Sequence, residues 1–164
     1  MAKSPREVLR SMAAGAVAGV FLLAGVASAH ARDFHGAIAT KSHYGAIFQI
    51  DAGGNGIIKK TLTNIENLLQ DPRLKGKVTV ELIANSKGFD VYVKGNGFKN
   101  RLLRLQRQGV ILAQCGNTLR ELHVNRHDLY SFVHVVPSGV GEIVIREAEG
   151  WAYIHPSTPK PNRL

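Results

Sequence analysis

Short apolar runs alternate with amphipathic stretches along most of this chain, and that alternation limits the fold more than any other feature of the sequence. The apolar runs predict five strands, at residues 46–50, 77–84, 110–113, 132–136 and 151–154. The stretches between them predict four helices, at residues 57–70, 98–107, 118–123 and 140–149. Strands that alternate with helices form parallel sheets through right-handed crossovers. We therefore expect an α/β fold, namely a three-layer α/β/α domain with a mainly parallel five-stranded sheet.

The clarity of the pattern differs between elements. In the first predicted helix, apolar residues recur at i, i+4, i+7 and i+11 and so share one helix face: Ile58, Leu62, Ile65 and Leu69. Residues 89–93 predict a short strand or an irregular segment. Residues 140–149 fit either a helix or a strand, and their place in the alternation favours a helix that ends at Gly150.

The composition indicates one globular domain with a basic surface. The chain has 164 residues, and 45% of them are hydrophobic, which is enough to bury a core. It carries 21 Lys and Arg against 12 Asp and Glu, a net charge of +9. These charges are spread along the chain, so we interpret them as a solvated surface. No basic motif with interleaved aromatic residues occurs, and we expect no nucleic-acid partner.

The beginning of the chain has the pattern of a secretory signal peptide. Three basic residues among the first ten precede an apolar run at residues 12–26, and small residues then recur at the spacing of a signal peptidase site. Cleavage would fall before His30 or before Arg32, and we favour Arg32. We therefore expect residues 1–31 to be removed and the mature protein to be periplasmic, without stable membrane insertion.

An uncleaved anchor is the alternative for the same segment. The charge-free run at residues 11–29 is 19 residues long, and a membrane-spanning helix needs roughly 20. An anchored protein would face the periplasm. After the leader, the chain divides into a lead-in at residues 32–44, a domain at residues 45–156 and a Pro-rich, disordered tail at residues 157–164.

Cys115 is the residue on which chemistry would depend. It is the one cysteine of the chain, which excludes an internal disulfide. The strand at residues 110–113 would carry it to the carboxyl edge of the sheet, where ligands bind in open parallel sheets. A helix capped by Asn117 would direct its positive end at the sulfur and favour the thiolate. We predict that Cys115 is a nucleophile, and the alternative is a cysteine that only packs in the core.

Other polar groups could take part in a site around Cys115. The turns after the third and fourth predicted strands supply the candidates that would line a crevice: Gly116, Asn117, Thr118, Pro137, Ser138 and Gly139. His123 and His127 are candidate proton partners. These two histidines with Cys115 and His134 could also be considered as metal ligands, but Asn125 and Asp128 interrupt the helix that would align them. We expect neither a metal nor another cofactor.

Motifs of several common enzymes are missing from the sequence. Residues 51–56 have the placement of a phosphate loop, but they lack both the Gly-Lys-Ser/Thr ending and the G-x-G-x-x-G spacing. We interpret them as a flexible loop. The chain also has no G-x-S-x-G and no H-E-x-x-H motif, which argues against a serine hydrolase and a zinc protease.

Three sequence motifs together resemble the DsrE/DsrF-like family of small proteins related to sulfur relay. They are Cys-Gly-Asn-Thr-Leu-Arg at 115–120, Val-Val-Pro-Ser-Gly-Val at 135–140 and Glu-Gly-Trp-Ala-Tyr-Ile-His-Pro at 149–156. The helix that ends in Asn-Ile-Glu-Asn-Leu-Leu at 64–69 fits the same family. The resemblance covers about residues 45–156.

The resemblance implies a fold, an assembly and a chemistry. The fold would be a three-layer α/β/α domain, flavodoxin-like in outline, and the assembly a homo- or hetero-oligomer built from dimers or trimers. In sulfur-transferring members, a cysteine at the position of Cys115 carries sulfur as a persulfide. We therefore expect a periplasmic sulfur carrier with itself and a sulfur donor or acceptor protein as partners. The alternative is a non-catalytic, oligomeric binding or assembly module with a small-ligand crevice and a structural cysteine.

Overall fold

The computed structural model of the chain describes residues 34–157. All of its helices and strands in that range belong to a compact unit that begins at Ile38. The predicted signal peptide at residues 1–31 and residues 158–164 of the predicted tail lie outside the described residues. Residues 34–43 contain no helix or strand. Within residues 34–157, no helix combines the length and apolar character needed to cross a membrane.

The described residues form a five-stranded, all-parallel sheet with helices on both faces, which confirms the predicted α/β fold. Four helices connect the strands, and the sheet order is β4-β3-β2-β1-β5. The elements are β1 (Tyr44–Ile50), α1 (Asn55–Gln70), β2 (Val78–Ala84), a first 3₁₀ segment (Ser86–Tyr92), α2 (Lys99–Arg107), β3 (Ile111–Cys115), α3 (Gly116–Glu121), a second 3₁₀ segment (Arg126–Asp128), β4 (His134–Val136), α4 (Gly139–Ala148) and β5 (Ala152–Ile154).

The strand order divides the helices between the two faces of the sheet. The chain steps in one direction from β1 to β4 and then returns across the sheet to β5. Because parallel crossovers are right-handed, this reversal puts α1, α2 and α3 on one face and α4 on the other. Separate clusters of buried side chains fill the two faces. The larger includes Phe48, Leu82, Leu112, Ile58 and Leu62, and the smaller joins Ile47, Ile83 and Ala113 to Ile143 of α4.

Residues 89–93 do not form the short strand that the sequence allowed as one of two outcomes. Residues 89–92 lie in the 3₁₀ segment Ser86–Tyr92, which crosses the end of β1. Val93 follows it and forms an isolated antiparallel bridge with Leu129. A Cβ atom at Gly88 would lie 1.9 Å from the carbonyl oxygen of Ile50, so this crossing requires glycine. The segment ends on Tyr92, whose buried hydroxyl donates to the carbonyl of Leu82 at 2.7 Å. Apolar residues here therefore pack across the core and do not extend the sheet.

Candidate functional site

The candidate site lies where the connections of two neighbouring strands leave on opposite faces of the sheet. β3 is followed by α3 on one face, and β4, its neighbour, is followed by α4 on the other. Such a switch point opens a crevice at the carboxyl edge of a parallel sheet. Cys115 is the last residue of β3, and the turn at Pro137 and Ser138 follows β4. The fold therefore places Cys115 and the turn at Pro137 and Ser138 at its topological switch point.

Two glycines allow the turns on either side of this crevice to approach closely. A Cβ atom at Gly116 would lie 3.0 Å from the carbonyl oxygen of Val136 and 3.4 Å from that of Pro137. A Cβ atom at Gly139 would lie 3.1 Å from the Cβ of Cys115. Both positions are buried and have no room for a larger residue without a shift of the neighbours. The backbone of α4 can thus begin directly against the Cys115 side chain.

The thiol of Cys115 lies in a buried but polar environment. The residue is 5% exposed. Burial disfavours the thiolate, but the N–H of Gly139, the N–H and hydroxyl of Thr118 and the N–H of Asn117 favour it more strongly. The net effect of burial and these donors is to lower the pKa of Cys115 below its ordinary value. Groups at the beginnings of both α3 and α4 therefore act on one sulfur atom.

The predicted helix cap after β3 is wrong. The strand extends to Cys115, and α3 begins at once with Gly116, so Cys115 itself occupies the N-cap position. Asn117 lies inside the helix, where its side-chain oxygen accepts from Arg120. The Cys115 side chain forms no capping hydrogen bond with α3, so the neighbouring N–H groups are nearby donors and not a formed cap. The helix nonetheless begins closer to the sulfur than the sequence predicted.

Thr118 is held in place by a segment that no sequence motif links to the site. The N–H of Ser86 donates to the hydroxyl oxygen of Thr118 at 2.9 Å. Ser86 adopts a left-handed backbone conformation, with φ of 47°, which is uncommon for residues other than glycine. The oxygen accepts this bond through a lone pair, so the hydroxyl proton of Thr118 remains available to donate to another acceptor. Thr118 is also 96% buried, since its exposed fraction is 4%.

A row of polar side chains extends from this segment along the carboxyl edge of the sheet. The amide of Asn85 donates to the hydroxyl oxygen of Ser86 at 3.3 Å and accepts from Gln49 at 2.9 Å. The hydroxyl of Tyr153 donates in turn to Gln49. The sequence contained one signal for this row, because Gln49 interrupts an apolar strand and Asn85 directly follows another.

The other candidates are distributed unevenly around the crevice. Ser138 caps α4 by accepting from the N–H of Gly141 at 3.2 Å. The donors that act on Cys115 include neither predicted histidine. His123 lies beyond the far end of α3 and His127 lies in the second 3₁₀ segment, and both side chains are exposed. No group of three His, Cys, Asp or Glu placed to hold a metal occurs among residues 34–157.

A buried carboxylate lies beneath α4, away from the crevice. Glu81 is 1% exposed and accepts from Nε of Arg146 at 2.8 Å, while its Oε1 atom has no hydrogen-bond partner among residues 34–157. Burial raises the pKa of Glu81, and the hydrogen bond from Arg146 opposes this only in part. The Arg146 guanidinium also lies over the ring of Trp151, 4.4 Å from its centre. This cluster attaches the last turn of α4 to the sheet.

The fold and the position of Cys115 define a small parallel-sheet α/β protein with a thiol at the switch point. Comparison with solved structures finds a protein of unknown function, MTH1491, from Methanobacterium thermoautotrophicum. The two chains are 37% identical, with a TM-score of 0.64, and the match covers 69% of this chain and 99% of that chain. The chain therefore belongs to the same family as that protein. No family model and no curated protein matches the sequence.

Proposed function

We propose that this protein is a periplasmic sulfur carrier of the DsrE/DsrF type, in which Cys115 holds a sulfane sulfur as a persulfide. The observation that supports this most directly is the placement of a thiol with a lowered pKa at the switch point of the sheet. Thiolates, and not thiols, are the attacking species in sulfur exchange. An environment that favours the thiolate therefore suits this chemistry.

The transfer needs a donor persulfide and an acceptor thiol and no further reactant. The Cys115 thiolate attacks the outer sulfur of the donor, which forms a new S–S bond. The bond between that sulfur and the donor breaks, and the donor leaves as a thiolate. In the second step an acceptor thiolate attacks the outer sulfur on Cys115, and Cys115 leaves as a thiolate. Each step exchanges one S–S bond for another.

The groups around Cys115 fit both charged forms in this sequence. The N–H of Gly139 and the N–H and hydroxyl of Thr118 favour a negative charge on the sulfur. A persulfide places its terminal charge one atom farther out on the same side chain. Gly116 and Gly139 let the turns after β3 and β4 lie close to this side chain, so both turns can contribute N–H groups.

Mass spectrometry of the intact protein tests the proposal. After incubation with polysulfide and removal of the excess, we expect an increment of one sulfur atom on Cys115 that a reductant removes. Cys115→Ser should abolish the increment while the fold is retained, since the volume changes little. An unmodified native protein, or an increment that survives Cys115→Ser, would contradict the carrier function.

A binding or assembly module without covalent chemistry is the second candidate function. Its support is that Cys115 is 5% exposed while three apolar residues of α4 are largely exposed. Val140, Val144 and Ile145 are 63%, 61% and 56% exposed. This module would self-associate through α4 and would leave Cys115 unmodified by polysulfide. The mass increment therefore separates the two functions.

Export belongs to the same proposal and has its own test. The support is the basic, apolar and small-residue pattern of residues 1–31. N-terminal sequencing of the protein from its native cells should begin at Arg32, or at His30 for the other cleavage site. A chain that retains Met1 and is found in the membrane fraction would contradict cleavage and support the uncleaved anchor.

A further inference from the structure

A groove separate from the Cys115 crevice lies beside the beginning of α2. Its volume is about 550 Å³, which lies within the range of roughly 300–1,000 Å³ typical of small-molecule sites. One wall is the turn that contains Lys94, Gly95 and Gly97. The loop from Tyr130 to Phe132 forms the opposite wall, and Lys99 also lines the groove. None of the residues that act on Cys115 lines this groove.

The wall at Gly95 and Gly97 is fixed by the side chain of Asn96 between them. Its amide nitrogen donates to the carbonyls of Asp90 and Val91 at 2.8 Å and 2.7 Å. Both glycines have positive φ angles, 85° and 82°, which side-chain-bearing residues rarely adopt. Neither glycine has a side chain, so the backbone at Gly95 and Gly97 is open to the groove.

The opposite wall is fixed by Arg126. Its guanidinium donates to the carbonyls of Tyr130 at 3.1 Å and Val133 at 2.5 Å, and to that of Ser131 at 3.4 Å. The hydroxyl of Tyr130 also donates to Asn96 at 3.0 Å, which joins the two walls. The groove is therefore already formed in the protein without a ligand, as small-molecule sites usually are.

The charge on the groove is positive and is not neutralised. The ammonium of Lys94 donates to the carbonyl oxygen of His127 at 2.7 Å, a neutral acceptor that leaves its charge and two N–H donors available. Lys99 is exposed. Within residues 34–157, neither lysine forms an ion pair with a carboxylate. Two ammonium groups therefore favour an anion.

Aromatic surface lies next to this charge. The rings of Tyr130 and Phe132 are stacked, with centroids 5.2 Å apart and planes at 6°. Tyr130 is buried and stacks on Phe132, which is half-buried and lines the groove. A flat apolar group could stack on that ring, since offset stacking of aromatic surfaces is favourable.

We propose that this groove binds a small anion that carries a flat aromatic group, with the anionic end at Lys94 and Lys99 and the ring against Phe132. The class comprises aryl phosphates, sulfonates and carboxylates. The inference does not rest on the proposed sulfur chemistry, because the two sites share no residue.

Binding of phenyl phosphate to the isolated protein, followed by amide NMR, tests this directly. We expect saturable shifts of the Gly95, Gly97 and Ser131 signals. Inorganic phosphate and phenol, tested separately, should each bind more weakly than phenyl phosphate. Lys94→Gln with Lys99→Gln should weaken phenyl phosphate binding about tenfold or more, because the loss of even one charge-assisted contact costs roughly tenfold.

Two further variants make the test specific. Phe132→Leu should reduce the preference for phenyl phosphate over inorganic phosphate while phosphate binding is retained. Lys75→Gln, which removes an exposed lysine elsewhere on the surface, should leave the affinity unchanged. The proposal is overturned if no saturable shift occurs, if the shifts map to another surface, or if the double lysine variant binds like the wild type.

Discussion

At the scale of single residues, Cys115 depends on its neighbours for any reactivity. Burial alone would keep the thiol protonated, and the nearby donors reverse that preference. Thr118 differs from the other donors because it acts through a side chain and can therefore be changed. Its hydroxyl oxygen is already occupied by the N–H of Ser86 at 2.9 Å, which leaves its proton for the sulfur.

Thr118→Val should raise the pKa of Cys115 and lower stability. The substitution keeps the shape of the side chain, removes a donor from the thiol and leaves the Ser86 N–H without its acceptor. Loss of that partner should cost about 1–3 kcal/mol of unfolding free energy. Alkylation rates over a pH series and chemical denaturation measure the two effects. Thr61→Val is the matched control, because the buried Thr61 hydroxyl has no hydrogen-bond partner in the described residues. Equal changes in stability and thiol pKa for the two variants would contradict the role of Thr118.

Glu81 should give stability a pH dependence opposite to that of most carboxylates. Burial raises its pKa above the ordinary 4.5, so the native protein holds this proton more tightly than the unfolded chain does. Its contribution is therefore greatest below the unfolded pKa and is lost as pH rises through the folded pKa. The free energy of unfolding of the wild type, relative to Glu81→Gln, should fall over that interval. A difference that is constant or rises with pH would contradict this assignment.

At the scale of secondary-structure elements, α4 is the helix that completes the site. Ser138 caps it, Gly139 brings its first turn against Cys115, and Arg146 attaches its last turn to Glu81. The position of the first turn depends on the cap, because unpaired N–H groups at a helix end loosen that end. The cap thus supports both the helix and the environment of the thiol.

Ser138→Ala should lower the free energy of unfolding by about 0.5–2 kcal/mol and raise the pKa of Cys115. The pKa should change because the Gly139 N–H, which favours the thiolate, belongs to the turn that the cap holds. Denaturation and the pH dependence of alkylation measure the two quantities. Ser42→Ala, at an exposed position outside any helix or strand, should change neither. If Ser138→Ala lowers stability but leaves the pKa of Cys115 unchanged, the cap does not influence the environment of the thiol.

Periodicity predicts the elements because their side chains repeat along the chain, whereas it does not fix exact element boundaries or contacts between distant segments. The helix at 140–149 was assigned correctly from its place in the alternation. Residues 89–93 could not be assigned, because their path depends on Gly88 crossing the end of β1. Asn117 was assigned wrongly as a cap, since β3 extends two residues farther than its apolar run. The contact of Ser86 with Thr118 joins positions 32 residues apart, and no local pattern predicts it.

At the scale of the whole molecule, one helix covers the second face of the sheet and has an apolar outer surface. Val140 and Val144 are one helical turn apart and are 63% and 61% exposed. Exposed apolar patches of this kind commonly mark an interface, and symmetric self-association is the usual way to cover them. The sequence led to the same expectation of a homo-oligomer.

Replacement of both Val140 and Val144 by Gln should therefore shift the protein toward monomer. Gln is compatible with a helix and removes apolar area from the exposed surface. Light scattering at micromolar concentration should find an oligomer for the wild type and a smaller species for the double variant. Arg107→Gln, an exposed change on α2 at the other face, should retain the wild-type mass. A wild-type protein that is monomeric under these conditions would contradict the prediction.

Cys115 is a reactive thiol in this account and not only a packing residue. The pH dependence of its alkylation tests this most directly. Native protein and a model thiol should be treated with iodoacetamide over a pH series, with the labelled site identified by mass spectrometry. We predict that native Cys115 is labelled, and that its rate reaches half of its maximum at a lower pH than that of the model thiol, because neighbouring donors lower the Cys115 pKa. At pH 6.5 it should react faster than the model thiol. If Cys115 stays unlabelled until the protein is denatured, it is a buried core residue and the carrier function is wrong.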